Sequence, residues 1–231
     1  MPSLSKRTGT VIVLLLIFIG VLTLIKFLNL DMLLVVSVHK LKPLDTGFSE
    51  VIWNVYKYGP YLSLLLGIVM LYFFIGSFFY NKFRPLRKKT AFAILLLVLG
   101  PGLLVQTVKN VTGRPRPREL TSIGGTHEFR SALEPSFRFP KYYGDKESFP
   151  SGHAATGFYP LVLCLFIYRK RHALIMSGSW GLLMSTVRIM QQAHFLSDII
   201  ASFFVVYLVG YLLSMVLFRE ESTDDACGSG G

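Results

Sequence analysis

The chain has 231 residues, of which 52% are hydrophobic, 14% aromatic and only 16% charged. Together with a mean hydropathy of +0.52, this moves it from globular averages toward proteins embedded in a bilayer. The formal charge of +11 would suit a nucleic-acid partner, but a soluble nucleic-acid binder does not carry repeated apolar runs long enough to cross a membrane. Nucleic acid is therefore excluded, and the basic residues need another explanation.

In chain order, the apolar runs predict six transmembrane helices, at about 10–27, 59–80, 91–108, 153–168, 173–187 and 197–218. The expected fold is all-α: a six-helix polytopic bundle in one membrane-embedded domain over 1–218, with a long outer loop and a polar tail over 219–231. Runs shorter than about 20 residues must borrow flanking residues to cross hydrocarbon. The first run resembles a signal-peptide core, but "LNLDMLLVV" follows it in place of a small-residue cleavage site, so it reads as an uncleaved helix. The stretch "DTGFSEVIWNVYKYG" places Phe48, Val51, Ile52 and Val55 at helical spacing. That suits a short amphipathic helix on the outer surface or a connector packed on the bundle. Gly100-Pro101-Gly102 inside the third run predicts a kink that could aim Lys109.

Three basic clusters separate the runs: Lys6 and Arg7; Lys82, Arg84, Arg87, Lys88 and Lys89; Arg169, Lys170 and Arg171. If each run crosses once, all three lie on one side with the tail, and the positive-inside rule makes that side cytoplasmic. Cys164 lies inside a run and Cys227 in the tail, so neither has disulfide or metal-ligand company. The closing "GSGG" reads as linker, and there is no internal repeat.

The opposite side receives residues 28–58, 109–152 and 188–196, and the second of these breaks the charge rule. "KNVTGRPRPRE" puts Lys109, Arg114, Arg116 and Arg118 there, and cations at membrane depth are kept where they meet an anion. Arginine offers paired donors and lysine a point charge, a combination suited to phosphate. In "FPSGHAATGF", Pro150, Ser151 and Gly152 precede a helix that His153 begins. Free N–H groups and the helix dipole then form an anion cradle, with a group able to move protons at its mouth. In "RIMQQAHFLSD", His194 and Asp198 are four apart and share a helix face. A carboxylate on one ring nitrogen leaves the other free to attack, and Arg188 adds a cation. These groups suit phosphoryl transfer without a metal.

The ordered set resembles the three signature motifs of the type 2 phosphatidic acid phosphatase superfamily of integral-membrane lipid phosphatases: Lys109, six residues, Arg116-Pro117; Pro150-Ser151-Gly152-His153; Arg188, five residues, His194, three residues, Asp198. The resemblance implies a phosphatase that uses no metal or other cofactor. In it, His194 is the nucleophile, Asp198 its orienter and His153 the acid and then base, while Lys109, Arg116, Ser151, Gly152 and Arg188 hold phosphate. One departure is Val187, where the family usually has serine before the arginine; Ser185 and Thr186 are not at the same point, so one secondary hydrogen bond is expected to be lost.

The expected partners are the bilayer and a phosphorylated membrane lipid, with no obligate protein partner. The bundle is placed in a bacterial inner membrane with its site facing the periplasm. "QQAHFLSD" and "GRPRPRE" look most similar to bacterial lipid A phosphatases. Phosphatases of phosphatidylglycerol phosphate and undecaprenyl pyrophosphate share the signature, and a lipid phosphotransferase would use the same intermediate. A transporter fits poorly, because span interiors show almost no charge. Arg114 and Arg118 read either as phosphate contacts or as head-group and solvated loop charges. Arg130, Arg138, Lys141 and Lys146 similarly face either a second phosphate or solvent. His39, His127 and His172 belong to no motif, and Asp31, Asp45 and Glu50 form no carboxylate pair and no zinc-type cluster.

Overall fold

The structure is a computed structural model that describes residues 4–41, 46–135 and 147–218, the side chains of 4–7, 46–48 and 110–111 excepted. Lys6, Arg7, Asp45, Phe48, Arg138, Lys141, Lys146, Cys227 and the 219–231 tail fall outside that description, as side chains or entirely.

The described chain is helical: α1 Leu4–Phe27, α2 Leu30–Lys40, α3 Thr46–Phe79, α4 Arg87–Leu97, α5 Val105–Thr112, α6 Gly152–Leu163, α7 Arg171–Met190 and α8 Leu196–Leu217. A π-helical stretch, Val98–Leu104, joins α4 to α5 in one rod. It contains Pro101, which has no N–H to donate, and a widened turn is a usual accommodation for such a residue. Among the described residues, five segments are long and apolar enough to cross a membrane: Thr8–Phe27, Ser49–Phe79, Asn81–Lys109, Arg171–Met190 and Leu196–Leu217. Gly152–Tyr168 is apolar but shorter.

The first outer segment contains a helix that the sequence did not announce, and one reading of its second half is corrected. Leu30–Lys40 forms a separate helix, α2, whose inward face buries Asp31, Val35 and Val38. The 46–58 stretch is no separate surface helix, because it continues without a break into the second span as the 34-residue α3, with Pro60 inside it. At about 1.5 Å per residue such a helix is roughly 50 Å long, against about 30 Å of hydrocarbon. It is therefore longer than a crossing needs, and its first turns lie beside the helix ends that carry the motifs.

Burial explains why α6 can be short. Ala154, Ala155, Tyr159 and Val162 on α6 have no exposed surface, and Phe92, Leu96, Val105 and Val206 from α4, α5 and α8 complete the core around them. The phenol of Tyr159 donates to Ala93 O at 3.1 Å, satisfying the one polar atom there. In lipid, close van der Waals packing rather than water exclusion drives such contacts. Small residues serve that packing: a Cβ on Gly157 would lie 2.8 Å from Met184 Cβ and 3.4 Å from Gly181 Cα. The peripheral α1 and α3 instead expose Leu16, Ile17, Leu65 and Tyr72. Such an apolar skin would be a liability in water, and it matches a hydrocarbon surround.

Candidate active site

Each motif sits at a helix end, and those ends share one side of the bundle because successive spans run in opposite directions. α5 stops after Lys109 because Gly113 takes the left-handed conformation (φ 57°). α7 ends in a Schellman arrangement: Gln192 N donates to Ile189 O at 2.8 Å and Ala193 N to Arg188 O at 3.1 Å. Gln192 fills the left-handed position (φ 50°) usually given to glycine, and its side-chain amide donates to Val35 O on α2 at 3.3 Å. That reversal carries the chain from Arg188 to His194 within one tight turn.

Hydrogen bonds then tie the three segments together. Thr112 Oγ1 donates to Phe149 O at 2.8 Å. Ser148 N donates to Arg114 O at 2.9 Å and Arg118 N to Gln192 O at 3.0 Å. Ser151 N donates to Ser202 Oγ at 2.8 Å, and Ser202 in turn donates to Asp198 O at 2.6 Å.

His194 is 3% exposed, and its Nδ1 lies 2.6 Å from Ser148 O. A carbonyl only accepts, so Nδ1 bears the proton and Nε2 the lone pair. Asp198 Oδ2 is 3.6 Å from Nδ1, beyond hydrogen-bond reach. The residue expected to orient His194 therefore makes no direct hydrogen bond to it and is linked to it through Ser148, whose hydroxyl donates to Asp198 Oδ2 at 2.9 Å. Phe195 N donates to the same oxygen at 2.8 Å, closing the first turn of α8. Burial pushes the pKa of His194 down to about 4; Asp198 opposes that shift, and the positive charges of Arg188 and Lys109 add to it. Near neutral pH the ring is uncharged, with its Nε2 lone pair available.

The other predicted residues gather around it. His153, half-buried at the start of α6, shares its electrostatic surroundings with Arg188, His194, Lys109 and Arg116. Ser151 caps α6, its hydroxyl accepting from Ala154 N at 3.3 Å. A Cβ built on Gly152 meets no heavy atom within 4 Å, which leaves open space in front of the helix end. Arg188 is 5% exposed and its Nη1 donates to Gln191 Oε1 at 2.6 Å. Its buried Nε has no hydrogen-bond partner among the described residues, an orphan donor where an anion would satisfy it. Arg116 is buried, which lowers its pKa; the neighbouring Arg118 lowers it further and Glu119 opposes. Among the described residues, no three His, Cys, Asp or Glu side chains form a group that could hold a metal ion.

The sequence reading missed three participants. Tyr56, on the outer end of α3, stacks on the His153 ring with centroids 4.9 Å apart. Its face lies 4.8 Å from the Arg188 guanidinium carbon. The only available signal was its place in an amphipathic pattern. Ser148 acts partly through a backbone carbonyl, which no residue type announces. Asp31 was set aside as lacking a carboxylate partner, yet it is 4% exposed and pairs with Arg114, which also pairs with Asp198. Arg114 accordingly lies beneath the site as a carboxylate partner and is not one of the phosphate-facing cations. Arg118, His39, His127 and His172 are exposed. At the Val187 departure, Ser185 offers no substitute, since its hydroxyl donates to Gly181 O at 2.7 Å within α7.

Comparison with known proteins places this geometry. A curated relative, the lipid A 4'-phosphatase of Francisella tularensis subsp. novicida (strain U112), is 27% identical over 184 residues, covering 76% of this chain and 79% of its own. The crystal structure of a transmembrane PAP2 type phosphatidylglycerolphosphate phosphatase from Bacillus subtilis shares the fold, with a TM-score of 0.61 at 18% identity, over 92% of this chain and 98% of that one. Residues 90–222 match the model of the PAP2 superfamily, a span that holds every motif residue described above, and this multi-pass membrane chain belongs to that family of phosphoric ester hydrolases.

Proposed function

We propose that the protein is a metal-independent lipid phosphatase of a bacterial inner membrane, with a single catalytic domain over 1–218, that hydrolyses a phosphate monoester of lipid A at the periplasmic face through a phosphohistidine on His194. The observation that carries this reading is the pairing of a neutral His194, fixed by its Nδ1 contact to Ser148 O, with the buried Nε of Arg188, which has no hydrogen-bond partner among the described residues. A nucleophile with a free lone pair beside an unfilled cationic donor is what in-line attack on phosphorus requires.

In the first step the Nε2 lone pair attacks phosphorus, a P–N bond forms and the P–O bond to the lipid breaks. With the phosphate dianion bound among the cations, His153 takes up a proton and donates it to the departing oxygen. In the second step water attacks phosphorus, neutral His153 takes a proton from it and the P–N bond breaks, releasing inorganic phosphate and restoring both histidines. Lys109, Arg116, Arg188 and the N–H groups at the start of α6 spread the charge on the equatorial oxygens. The negative charge of Asp198 stabilises the imidazolium character that His194 gains on bonding to phosphorus.

Lipid A is favoured because the curated sequence relative carries that activity in its name. The test is free-phosphate release by the purified protein in detergent with EDTA, across lipid A, phosphatidylglycerol phosphate, phosphatidic acid and undecaprenyl pyrophosphate, with His194→Ala alongside. EDTA-resistant release, fastest on lipid A and abolished in the variant, is expected. Release by His194→Ala at the wild-type rate overturns the mechanism, and a different best substrate overturns the lipid assignment. Transfer of phosphate to an acceptor lipid, with little free phosphate, identifies a transferase.

A further inference from the structure

We infer that Asp31, Arg114 and Ser197 form a buried positioning relay that holds Asp198 in place and preserves its charge for His194, so that α2, outside the family's three motifs, takes part in catalysis. The inference rests on His194 being the nucleophile.

Arg114 is 3% exposed and its guanidinium is committed on every side. Nη2 donates to Asp31 Oδ2 at 2.8 Å, Nη1 to Ser197 Oγ at 2.7 Å and also to Asp198 Oδ1, and Nε to Arg130 O at 2.9 Å. The rings of Phe195 and Phe129 lie 4.0 and 5.7 Å from its central carbon, filling the space over the plane. Asp31 is equally engaged, with Oδ1 accepting from Ser197 N at 2.9 Å and Oδ2 from Ser197 Oγ at 2.6 Å. Ser197 is thus both donor to Asp31 and acceptor from Arg114.

Buried ion pairs of this kind seldom add net stability, because desolvation offsets the attraction, so a role beyond stability is needed to explain one. Charge balance supplies it. Arg114 facing Asp198 alone would cancel the carboxylate that His194 needs when it becomes cationic. With Asp31 on its other edge, the guanidinium serves two carboxylates, the cluster of three groups keeps one net negative charge, and Asp198 Oδ2 presents its share 3.6 Å from Nδ1. The planar fork also fixes Asp198 Oδ1, leaving Oδ2 to face Ser148 and His194. Asp31 thereby links α2 to the reacting centre without touching substrate.

The test is steady-state kinetics on Asp31→Asn and Arg114→Lys, with single-turnover transfer of labelled phosphate from substrate to protein and His194→Ala as control. Asp31→Asn keeps shape while removing the second anion. Arg114→Lys keeps charge while losing the fork. Each is expected to lower kcat and the labelling rate by roughly 10- to 100-fold, as supporting groups behind reacting ones commonly do, with KM within about twofold. A structural role alone would instead lower the amount of folded protein without changing kcat per folded molecule, read from monodispersity and active-site titration by the label. If one variant does not fold, the other decides. Wild-type kcat in the folded variant overturns the relay, and so does a loss confined to KM, which would move these residues to substrate binding. If the wild type places no label on histidine, the nucleophile assignment fails; if it does and the variants label equally fast, the relay alone fails.

Discussion

Tyr56 offers a graded test of the site, because its contacts can be removed separately. Its ring stacks on His153 at 4.9 Å and lies 4.8 Å from the Arg188 guanidinium. Tyr56→Ala loses both, and Tyr56→Phe loses only the hydroxyl. A stacked pair contributes about 0.5–1.5 kcal/mol and a cation–π contact about 0.5–2 kcal/mol. The alanine variant thus forfeits about 1–3.5 kcal/mol of positioning. If that is expressed in the transition state, catalysis falls by about fivefold to a few hundredfold, and the half-buried setting of Tyr56 favours the lower half of that range. Tyr56→Phe keeps both ring contacts and should stay within about threefold of the wild type. The assay is phosphate release over a substrate series in detergent, giving kcat and KM for each protein. Wild-type kcat/KM in a folded Tyr56→Ala protein would refute the view that α3 aligns His153 and Arg188.

Further outcomes follow from the same geometry. Ser148→Ala removes the hydroxyl that serves Asp198 and keeps the carbonyl that holds His194, so kcat should fall about tenfold with the His194 tautomer intact; ¹⁵N NMR of the histidine ring and steady-state rates check both halves. The His194 ring should stay neutral as pH is lowered from 7 to 5 and gain its proton only near 4, because burial holds its pKa far below 6.5. Since the unfolded chain takes up that proton first, its contribution to stability is full above about 6.5 and is lost as pH falls toward 4; a ring titrating near 6.5 would contradict the buried placement. Gly157→Ala pushes a methyl against Met184 Cβ at 2.8 Å and should lower the thermal midpoint, an overpacking cost of about 1–3 kcal/mol; an unchanged midpoint would show that α6 and α7 can separate.

Hydropathy, charge and motif order determined much on their own. Apolar runs located the spans because a bilayer forces every buried backbone group into a helix, and the alternating direction of the spans put Lys109, His153, Arg188 and His194 at one end. Those residues could be singled out because phosphate chemistry permits few residue types for the roles expected of a nucleophile, a proton donor and cations. Tertiary structure alone decided what surrounds them. α2 carries Asp31 to a site 166 residues away, Tyr56 reaches His153 because α3 begins well before its apolar core, and a backbone carbonyl of Ser148 sets the ring of His194. None of these leaves a spacing signal. A buried ion pair between distant segments, a ring stacked across two helices and a main-chain acceptor depend on where the chain returns in space, and local periodicity does not record that.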